Sequence, residues 1–294
     1  MEAMPKIAFI GLGAMGYPMA RHLAKEHDVV VWNRTREKAE RHAREHGTTL
    51  AGDLADCANA KVIITMLPTS KEVDEIVDRL LAHLKRSTLW IDATSGDPNV
   101  SRETAKRLAG KGVDFVDAPV TGAVVGAENA TLTIMIGGTA ENFARAKEIL
   151  RINGKTIIHV GDVGAGHAIK VLTNSIMGAT VWMTSECLLL AKRLGIDIKT
   201  ALAVTNAGSG RSNASENLLP MRLAEGKWPL VFKLAHHDKD IRIAASLAHQ
   251  QHASTPMLAL TQQLFTASLN ELGEGADYIE VAKIVAKMNG TSWD

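Results

Sequence analysis

Three groups of residues have types and spacing that suit chemistry on a small molecule, and the first is rich in glycine. It directly follows the apolar run 7–10 and reads Gly11, Leu12, Gly13, Ala14, Met15, Gly16. In such a GxGxxG pattern the first glycine permits a tight turn and the second lets backbone N–H groups approach a diphosphate. The third allows a helix to pack closely on a strand. Because a strand-like run precedes the pattern and a helix-like stretch follows, it favours dinucleotide binding over a purely structural turn.

The residues after the second apolar run, 29–32, indicate which dinucleotide is bound. Sites specific for NAD usually place an Asp or Glu here to bind the ribose hydroxyls. This chain instead continues with Asn33, Arg34 and Thr35. A guanidinium beside a hydroxyl suits the 2′-phosphate of NADP. Arg34 is also compatible with a solvated surface position and Thr35 with a helix N-cap, and for Thr35 both roles can hold.

A second group, Thr121, Gly122 and Ala123, follows a predicted strand at residues 113–117. Open α/β sheets bind ligands at this carboxyl-terminal edge. Consecutive backbone N–H groups in such a segment can cradle a small anion, for example a carboxylate. Taken alone, an ordinary loop explains the segment equally well.

The third group is Lys170 and Asn174, which lie four residues apart in a predicted long helix and therefore share one face. Gly178 continues that face with no side chain to block approach. A lysine among apolar neighbours is costly to bury unless it has a partner or a task. From the residues alone, a lysine that extends its ammonium group to solvent is the simpler interpretation.

The elements that would position these groups change character near residue 165. Up to about residue 160, short apolar runs alternate with helix-like stretches, which predicts a parallel sheet covered by helices on both faces. After Gly166 helical periodicity takes over. We therefore predict an α/β fold, with a Rossmann-type doubly wound sheet domain at residues 1–165 and an all-α domain at residues 166–294. The predicted strands are 6–10, 29–32, 62–66, 89–92, 113–117, 132–136 and 156–160, and the long helix covers 167–193.

Composition excludes several classes of protein. The 294 residues include 33 Lys and Arg against 32 Asp and Glu. The chain therefore lacks the net positive charge that proteins use to bind nucleic acids or membrane surfaces. No apolar run approaches the ~18 residues of a membrane span, and because the first predicted strand begins by Lys6 we expect no targeting peptide. Two cysteines suit a reducing cytosol. On these grounds we expect a cytoplasmic protein. We also expect no metal, because adjacent His236 and His237 lack the i, i+4 spacing of paired metal ligands.

Taken together, four motifs in this order resemble the β-hydroxyacid dehydrogenase family, which includes 3-hydroxyisobutyrate dehydrogenases and tartronate semialdehyde reductases. The motifs are residues 11–19, 117–122 and 164–174 and the pair Lys239-Asp240, and they span nearly the whole chain. The resemblance implies hydride transfer between NADP(H) and a small 3-hydroxy acid or its semialdehyde. It implies that Lys170 is the general acid and base, that Asn174 helps hold the substrate, and that the chain forms homodimers or homotetramers.

The resemblance also implies ligand contacts. A small carboxylate substrate would contact Thr121, Gly122, Ala123 and Lys239. The residues implied to contact the NADP cofactor are Gly11, Leu12, Gly13, Ala14, Met15, Gly16, Asn33, Arg34, Thr35, Leu67, Pro68, Ser95 and Lys239. The family usually has Ser-Gly-Gly at residues 121–123 and Gly at residue 130, so this chain departs from the pattern at Thr121, Ala123 and Ala130.

Two interpretations from other classes stay open at this point. A non-catalytic dinucleotide-binding scaffold would share the glycine-rich motif, but the presence of Lys170, Asn174 and Lys239 argues against it. An imine reductase has a related architecture without this lysine pattern. The larger phosphogluconate dehydrogenases fit this chain less well, because they have a longer helical domain and need several cationic side chains to bind a sugar phosphate.

Overall fold

The computed structural model describes residues 6–293 of the chain. The chain divides into two compact units, one up to Lys170 and the other from Val171 onward. This division lies within a long helix, a few residues beyond the boundary predicted at residue 165. The first unit contains all nine strands of the described residues, and the second contains helices.

The sheet of the first unit follows from uninterrupted apolar runs. Strands such as Ile7–Ile10 and Val62–Thr65 are buried along their whole length, as expected for parallel strands covered on both faces. The nine strands are β1 (Ile7–Ile10), β2 (Val29–Trp32), β3 (Thr49–Leu50), β4 (Val62–Thr65), β5 (Leu89–Asp92), β6 (Asp114–Asp117), β7 (Val120–Thr121), β8 (Leu132–Gly137) and β9 (Gly154–Gly161). All seven predicted strands are present, and the sequence analysis missed only the two-residue strands β3 and β7.

The strand order is β3-β2-β1-β4-β5-β6-β8-β7, with β9 paired to β8. The predicted parallel pairing is confirmed from β3 through β6. Beyond that point it is wrong for β8, which pairs antiparallel with β6 and β7. The last strand, β9, again pairs parallel with β8. The ten residues between β7 and β8 are too few for the crossover that parallel neighbours need.

Apolar side chains from the two faces of this sheet form two separate cores. Phe9 and Ile64 belong to one core, while their chain neighbours Ala8 and Ile63 belong to the other, as the two-residue period of a strand requires. The helices of this unit are α1 (Gly16–Leu23), α2 (Arg36–His46), α3 (Ser70–Leu80), α4 (Pro98–Ala109), α5 (Ala123–Glu128) and α6 (Ala140–Leu150). This arrangement confirms the predicted doubly wound fold.

The position of β1 between β2 and β4 creates the point at which strand order reverses. The chain first proceeds outward through β2 and β3 and then returns to add β4 on the other side of β1. Connections that leave neighbouring strands in opposite directions open a crevice at the carboxyl ends of those strands. The glycine-rich segment begins directly after β1 and therefore lies at this crevice.

The second unit is all-α, as predicted. Its helices are the long α7 (Ala165–Arg193), which begins in the last residues of the first unit, and α8 (Ile198–Ala207), α9 (Leu234–Gln250), α10 (Pro256–Leu272) and α11 (Val281–Met288). Gly195, at a φ of +77°, follows the end of α7. None of the helices within residues 6–293 is long and apolar enough to cross a bilayer.

A buried ion pair fixes the loop that precedes α9. Arg222 Nη2 donates to Asp277 Oδ1 at 3.0 Å, and both side chains are almost fully buried. The other carboxylate oxygen of Asp277 accepts the backbone N–H groups of Val231 and Phe232 at 2.7 and 2.9 Å. Removal of either partner would leave an uncompensated buried charge, which is strongly destabilising. The pair thereby fixes the start of the helix that carries Lys239.

Two of the departures from the family pattern fall where the backbone is left-handed. Ala123 has a φ of +53° and Ala130 a φ of +55°. A residue with a Cβ atom pays about 1–2 kcal/mol in this region, whereas glycine does not. The glycine that the family usually has at these positions therefore matches the local backbone conformation better than alanine.

We expect Ala130→Gly to raise the free energy of unfolding by about 0.5–1 kcal/mol. Relief of the left-handed strain exceeds the roughly 0.4–1 kcal/mol lost through the greater freedom of glycine in the unfolded chain. Urea denaturation monitored by circular dichroism measures the change. The control is Ala109→Gly in the last turn of α4, which lowers stability because the backbone there is right-handed. A loss of stability in both variants would contradict the argument.

Candidate functional site

The glycine-rich loop after β1 is tightly packed at its first and last glycines and has free space beside its middle glycine. Gly11 has a φ of +105°, and a Cβ atom there would meet Met66 O at 2.3 Å. A Cβ atom on Gly16 would meet Gly11 O at 2.0 Å. By contrast, a Cβ atom on Gly13 would meet nothing within 4 Å. Gly11 and Gly16 therefore fill the turn and packing roles predicted for them. The open face at Gly13 leaves room for a diphosphate, and its contact with one stays a prediction.

Asn33 ties this loop to the end of β2. Its Oδ1 accepts the backbone N–H of Leu12 at 2.9 Å, and its Nδ2 donates to Thr35 O at 2.9 Å. Arg34 is exposed and takes part in none of the ion pairs found within residues 6–293. Thr35 holds the N-cap position of α2, yet its side chain forms no capping bond to the described residues. Both side chains thus stay available at the crevice, and their contact with a phosphate stays a prediction.

The other predicted cofactor residues of the first unit lie at the same edge of the sheet. Leu67 and Pro68 follow β4, and Ser95 follows β5. The backbone N–H of Leu67 donates to Thr94 Oγ1 at 3.1 Å, which links the two strand ends. The structure therefore brings these residues to the edge that carries the glycine-rich loop, because parallel strands present their carboxyl ends together.

Asp117, at the carboxyl end of β6, is a residue to which the sequence analysis gave no role of its own. Its side chain is fully buried, and its Oδ1 and Oδ2 accept the backbone N–H groups of Gly164 and His167, each at 2.7 Å. Gly137 and Gly166 surround the carboxylate so closely that a Cβ on either would lie 2.6–2.8 Å from its oxygens. Burial raises the pKa of Asp117, and the hydrogen bonds and His167 oppose that rise. Asp117 fixes the first turn of α7.

His167, in that first turn, makes a second connection to the sheet domain. Its Nδ1 lies 2.6 Å from Ser101 Oγ in α4, and its Nε2 lies 3.9 Å from Asp92 Oδ2 at the end of β5. The order serine, histidine, aspartate resembles a hydrolase triad. However, Ser101 is buried and its hydroxyl also donates to Asp97 O at 3.0 Å. We therefore interpret the group as an anchor for α7.

The predicted carboxylate-binding segment forms a sharp backbone turn between β7 and α5. Gly122 has a φ of +131°, and Ala123 also has a positive φ. The N–H of Gly126 donates to Gly122 O at 2.9 Å and closes the turn. The turn begins a few residues after Asp117, so the strand that holds α7 also leads into this segment.

Lys170 and Asn174 lie one turn apart on α7, and both are buried. Within the second unit, Asn174 Nδ2 donates to Asp240 Oδ2 at 2.6 Å. The other oxygen of Asp240 lies 3.1 Å from Lys239 Nζ. The fully buried Asp240 thus brings two predicted substrate residues together. Sequence reasoning missed its role, although Asp240 stands beside Lys239 in the fourth motif.

His237, in the first turn of α9, packs among three aromatic rings. Its ring contacts those of Phe232, Phe265 and Tyr278, with centroid separations of 4.7 to 5.9 Å. Its Nε2 lies 2.9 Å from Asn174 O. This contact holds α9 against α7 at the level of Asn174.

Comparison with known proteins identifies the family to which this chain is similar. Two family models match: the NAD-binding domain of 6-phosphogluconate dehydrogenase over residues 6–161, and the NAD-binding domain of NADP-dependent 3-hydroxyisobutyrate dehydrogenase over residues 164–285. The 3-hydroxyisobutyrate dehydrogenase of Pseudomonas aeruginosa is 35% identical over 96% of this chain and 98% of its own length. The chain belongs to the β-hydroxyacid dehydrogenase family.

Other members support the same assignment. The 2-(hydroxymethyl)glutarate dehydrogenase of Eubacterium barkeri is 33% identical over 99% of this chain and 98% of its own length. A structure of Mycobacterium tuberculosis 3-hydroxyisobutyrate dehydrogenase with L-serine superposes with a TM-score of 0.88 at 29% identity. It covers 96% of this chain and 99% of its own. This β-hydroxyacid dehydrogenase is therefore an oxidoreductase with a nicotinamide dinucleotide cofactor.

We expect Asp117→Asn to destabilise this β-hydroxyacid dehydrogenase by roughly 2–3 kcal/mol. The two N–H groups approach different oxygens of Asp117, and in asparagine one of these becomes an NH2 group that cannot accept. Hydrogen bonds to a charged group contribute about 1.5–3 kcal/mol. Urea denaturation measures the total loss. Amide hydrogen exchange should become faster at Gly164 and His167, which donate to the carboxylate.

The matched control is Asp114→Asn on the same strand. Asp114 is half exposed and pairs with Arg145 at 2.5 Å, so its loss should cost less than about 1 kcal/mol. Equal destabilisation by the two variants, or unchanged exchange at Gly164 and His167, would show that Asp117 does not anchor α7.

Proposed function

We propose that this enzyme transfers a hydride between NADP(H) and a small 3-hydroxy acid and its semialdehyde, with Lys170 as the general acid and base. The observation that carries the proposal is the network of buried Asn174 and Asp240 with the partly exposed Lys239, in which Asn174 lies one helical turn from Lys170. Buried polar groups are costly unless they are paired or have a task. This network supplies amide and ammonium groups of the kind that hold a carboxylate or a hydroxyl.

The cofactor would be held by the edge of the first unit. Backbone N–H groups around the open face at Gly13 would bind the diphosphate. Arg34 and Thr35 would bind the 2′-phosphate, and Leu67, Pro68 and Ser95 would line the remaining edge. The family model that matches residues 164–285 is described as NADP-dependent, which supports this choice of cofactor. The bound nicotinamide supplies the hydride donor and acceptor, so the protein needs no metal for the redox chemistry.

The substrate carboxylate would be bound by the turn at Thr121, Gly122 and Ala123, with Lys239 as a second contact. Gly122 and Ala123 have positive φ values, so the backbone turns sharply here. Successive N–H groups in such a turn would supply the donors that an anion needs. The methyl groups of Thr121 and Ala123, which the usual Ser-Gly-Gly segment does not have, would narrow the space beside the acid. We therefore propose a small substrate with three or four carbons.

Lys170 would exchange a proton with the substrate oxygen. When an aldehyde is reduced, negative charge develops on its oxygen, and an ammonium group at hydrogen-bond distance both stabilises that charge and donates the proton. In the oxidative direction the neutral amine accepts the hydroxyl proton. Asn174 would orient the substrate, and Asp240 fixes the amide of Asn174 so that its oxygen is directed away from the carboxylate.

Arg34→Ala is expected to raise the KM for NADPH about 10- to 100-fold and to leave the KM for NADH nearly unchanged. Charge-assisted contacts to a phosphate contribute roughly 1.5–3 kcal/mol, and NADH has no 2′-phosphate. The control is Arg36→Ala, because Arg36 is nearby but already pairs with Glu40 at 2.9 Å. Initial rates with both cofactors test the prediction. An equal loss with NADPH and NADH would refute phosphate recognition by Arg34.

Lys170→Ala should lower kcat by about 10²- to 10⁴-fold, the usual contribution of a positioned proton donor. NADPH binding, followed by fluorescence titration, should survive because the cofactor residues lie elsewhere. Lys170→Arg should not restore turnover, since a guanidinium stays protonated and cannot act as a base. A panel of three- and four-carbon semialdehydes and 3-hydroxy acids supplies the substrates. Near-normal turnover would overturn the mechanism, and loss of both properties would assign Lys170 a structural role.

A further inference from the structure

A group of polar contacts joins α1, the helix after the glycine-rich loop, to α5, the helix after the proposed substrate turn at residues 121–123. Arg21 and His22, near the end of α1, both reach Glu128, the last residue of α5. His22 Nε2 lies 2.9 Å from Glu128 O, and Arg21 Nη2 donates to the same oxygen at 2.9 Å. Arg21 Nη2 also lies 2.7 Å from the Glu128 carboxylate. We call Arg21, His22 and Glu128 the α1–α5 clamp.

His22 supplies the buried contact of the α1–α5 clamp. It is 7% exposed, whereas the side chain of Arg21 is 30% exposed. A carbonyl oxygen only accepts hydrogen bonds, so Nε2 of His22 carries the proton that is donated to Glu128 O. Nδ1 lies 3.2 Å from Lys25 Nζ, and it accepts because an ammonium group only donates. Both ring nitrogens of His22 therefore have a partner, and the orientation of the ring is fixed.

The α1–α5 clamp supplies hydrogen-bond donors at the end of α5. The last carbonyl groups of a helix have no partner within the helix. The N–H groups three and four residues after Glu128 donate elsewhere, that of Thr131 to Gly126 O and that of Leu132 to Asn153 O. Basic side chains near a helix end commonly bond such carbonyl groups. Here they belong to another helix, so the contacts that complete α5 also tie it to α1.

Helix α5 has little apolar surface with which to hold its position. It contains six residues, of which the two buried ones are Gly126 and Ala127. Leu132 packs closely against it, since a Cβ atom on Gly126 would lie 3.2 Å from the Cδ2 of that leucine. The hydrophobic free energy scales with buried apolar area, so such small residues contribute little of it. The position of α5 therefore depends strongly on the polar contacts at its end.

We propose that Arg21 and His22 are positioning residues for the substrate turn at residues 121–123, an inference that rests on the carboxylate contact proposed above. Gly122 is the N-cap of α5, and its oxygen accepts the N–H of Gly126 at 2.9 Å. The turn and the helix therefore form one hydrogen-bonded segment. Because the clamped end of α5 lies about 9 Å along the same helix, a shift at that end displaces the N–H groups of the turn.

Amide hydrogen exchange tests this positioning without any substrate. In His22→Leu the N–H groups of Gly126 and Thr131 should exchange about five- to tenfold faster, because α5 opens more often once a buried donor is lost. His22→Gln should largely restore the wild-type rates, since its amide N–H can donate to the same oxygen. His42→Leu is the matched control, because His42 is also buried and contacts a carbonyl of α1, Tyr17 O at 3.1 Å, but lies on α2. Unchanged exchange in His22→Leu, or equal acceleration in the control, would overturn the proposal.

Steady-state kinetics with NADPH then test the effect on the substrate. The probes are 3-oxopropanoate and propanal, which have the same chain length but differ in the carboxylate. His22→Leu should raise the KM for 3-oxopropanoate about five- to tenfold with little change in kcat, and Arg21→Ala should raise it less because its contact is more exposed. The kcat/KM for propanal should stay unchanged, and His42→Leu should leave the ratio of the two kcat/KM values unchanged. A raised KM for both aldehydes, or a fall in kcat alone, would refute the positioning of a carboxylate turn.

The two measurements separate this inference from the proposed function. A wild type that reduces neither 3-oxopropanoate nor any other semialdehyde of the panel would refute the proposed function, and hydrogen exchange would then decide whether the α1–α5 clamp positions the turn. A wild type that reduces 3-oxopropanoate, with His22→Leu unchanged in both exchange and KM, would leave the proposed function intact and refute the role of the α1–α5 clamp.

Discussion

The buried carboxylate of Asp117 is the interaction on which the placement of α7 depends. It accepts the N–H groups of Gly164 and His167 at the start of α7, where the first N–H groups of a helix have no partner within the helix. A negative charge at this end is also favoured by the helix dipole. These contributions offset the cost of burial that raises the pKa of Asp117. Residues 137 and 166 are glycines, and a side chain at either position would displace the carboxylate.

A second buried carboxylate, Asp240, fixes α7 two turns later. Asp117 determines where the helix starts, and Asp240 holds the amide of Asn174 against α9. Lys170 lies between these two anchored positions, and its distance from Asn174 is set by helix geometry alone. The proposed acid–base group therefore needs no flexible loop to reach its position. Functional groups are positioned more precisely on rigid elements that surrounding hydrogen bonds support than on loops.

Much of this could be predicted from the sequence, and the misses have a common physical cause. The strands, the glycine-rich turn and α7 depend on local patterns of apolar residues and glycine, so their bounds were predicted to within a few residues. The roles of Asp117 and Asp240 depend on partners 47 to 66 residues away, and the antiparallel return of β8 depends on its pairing with β6 and β7. No local pattern reports such pairs. The family motifs included both aspartates but gave no reason for them.

The two faces of α7 impose opposite requirements on one sequence. The inward face needs polar side chains at Lys170 and Asn174 and a small residue at Gly178, where a Cβ atom would lie 3.1–3.3 Å from Ile241, His237 and Phe265. The outward face carries exposed apolar side chains such as Ile176 and Leu190. The buried positions of α7 hold polar and apolar side chains together, for example Asn174 and Val181, so the usual amphipathic pattern is weak. The buried polar positions therefore depend on specific partners such as Asp240, which accepts the amide N–H of Asn174, because an unpaired polar group at that depth is costly.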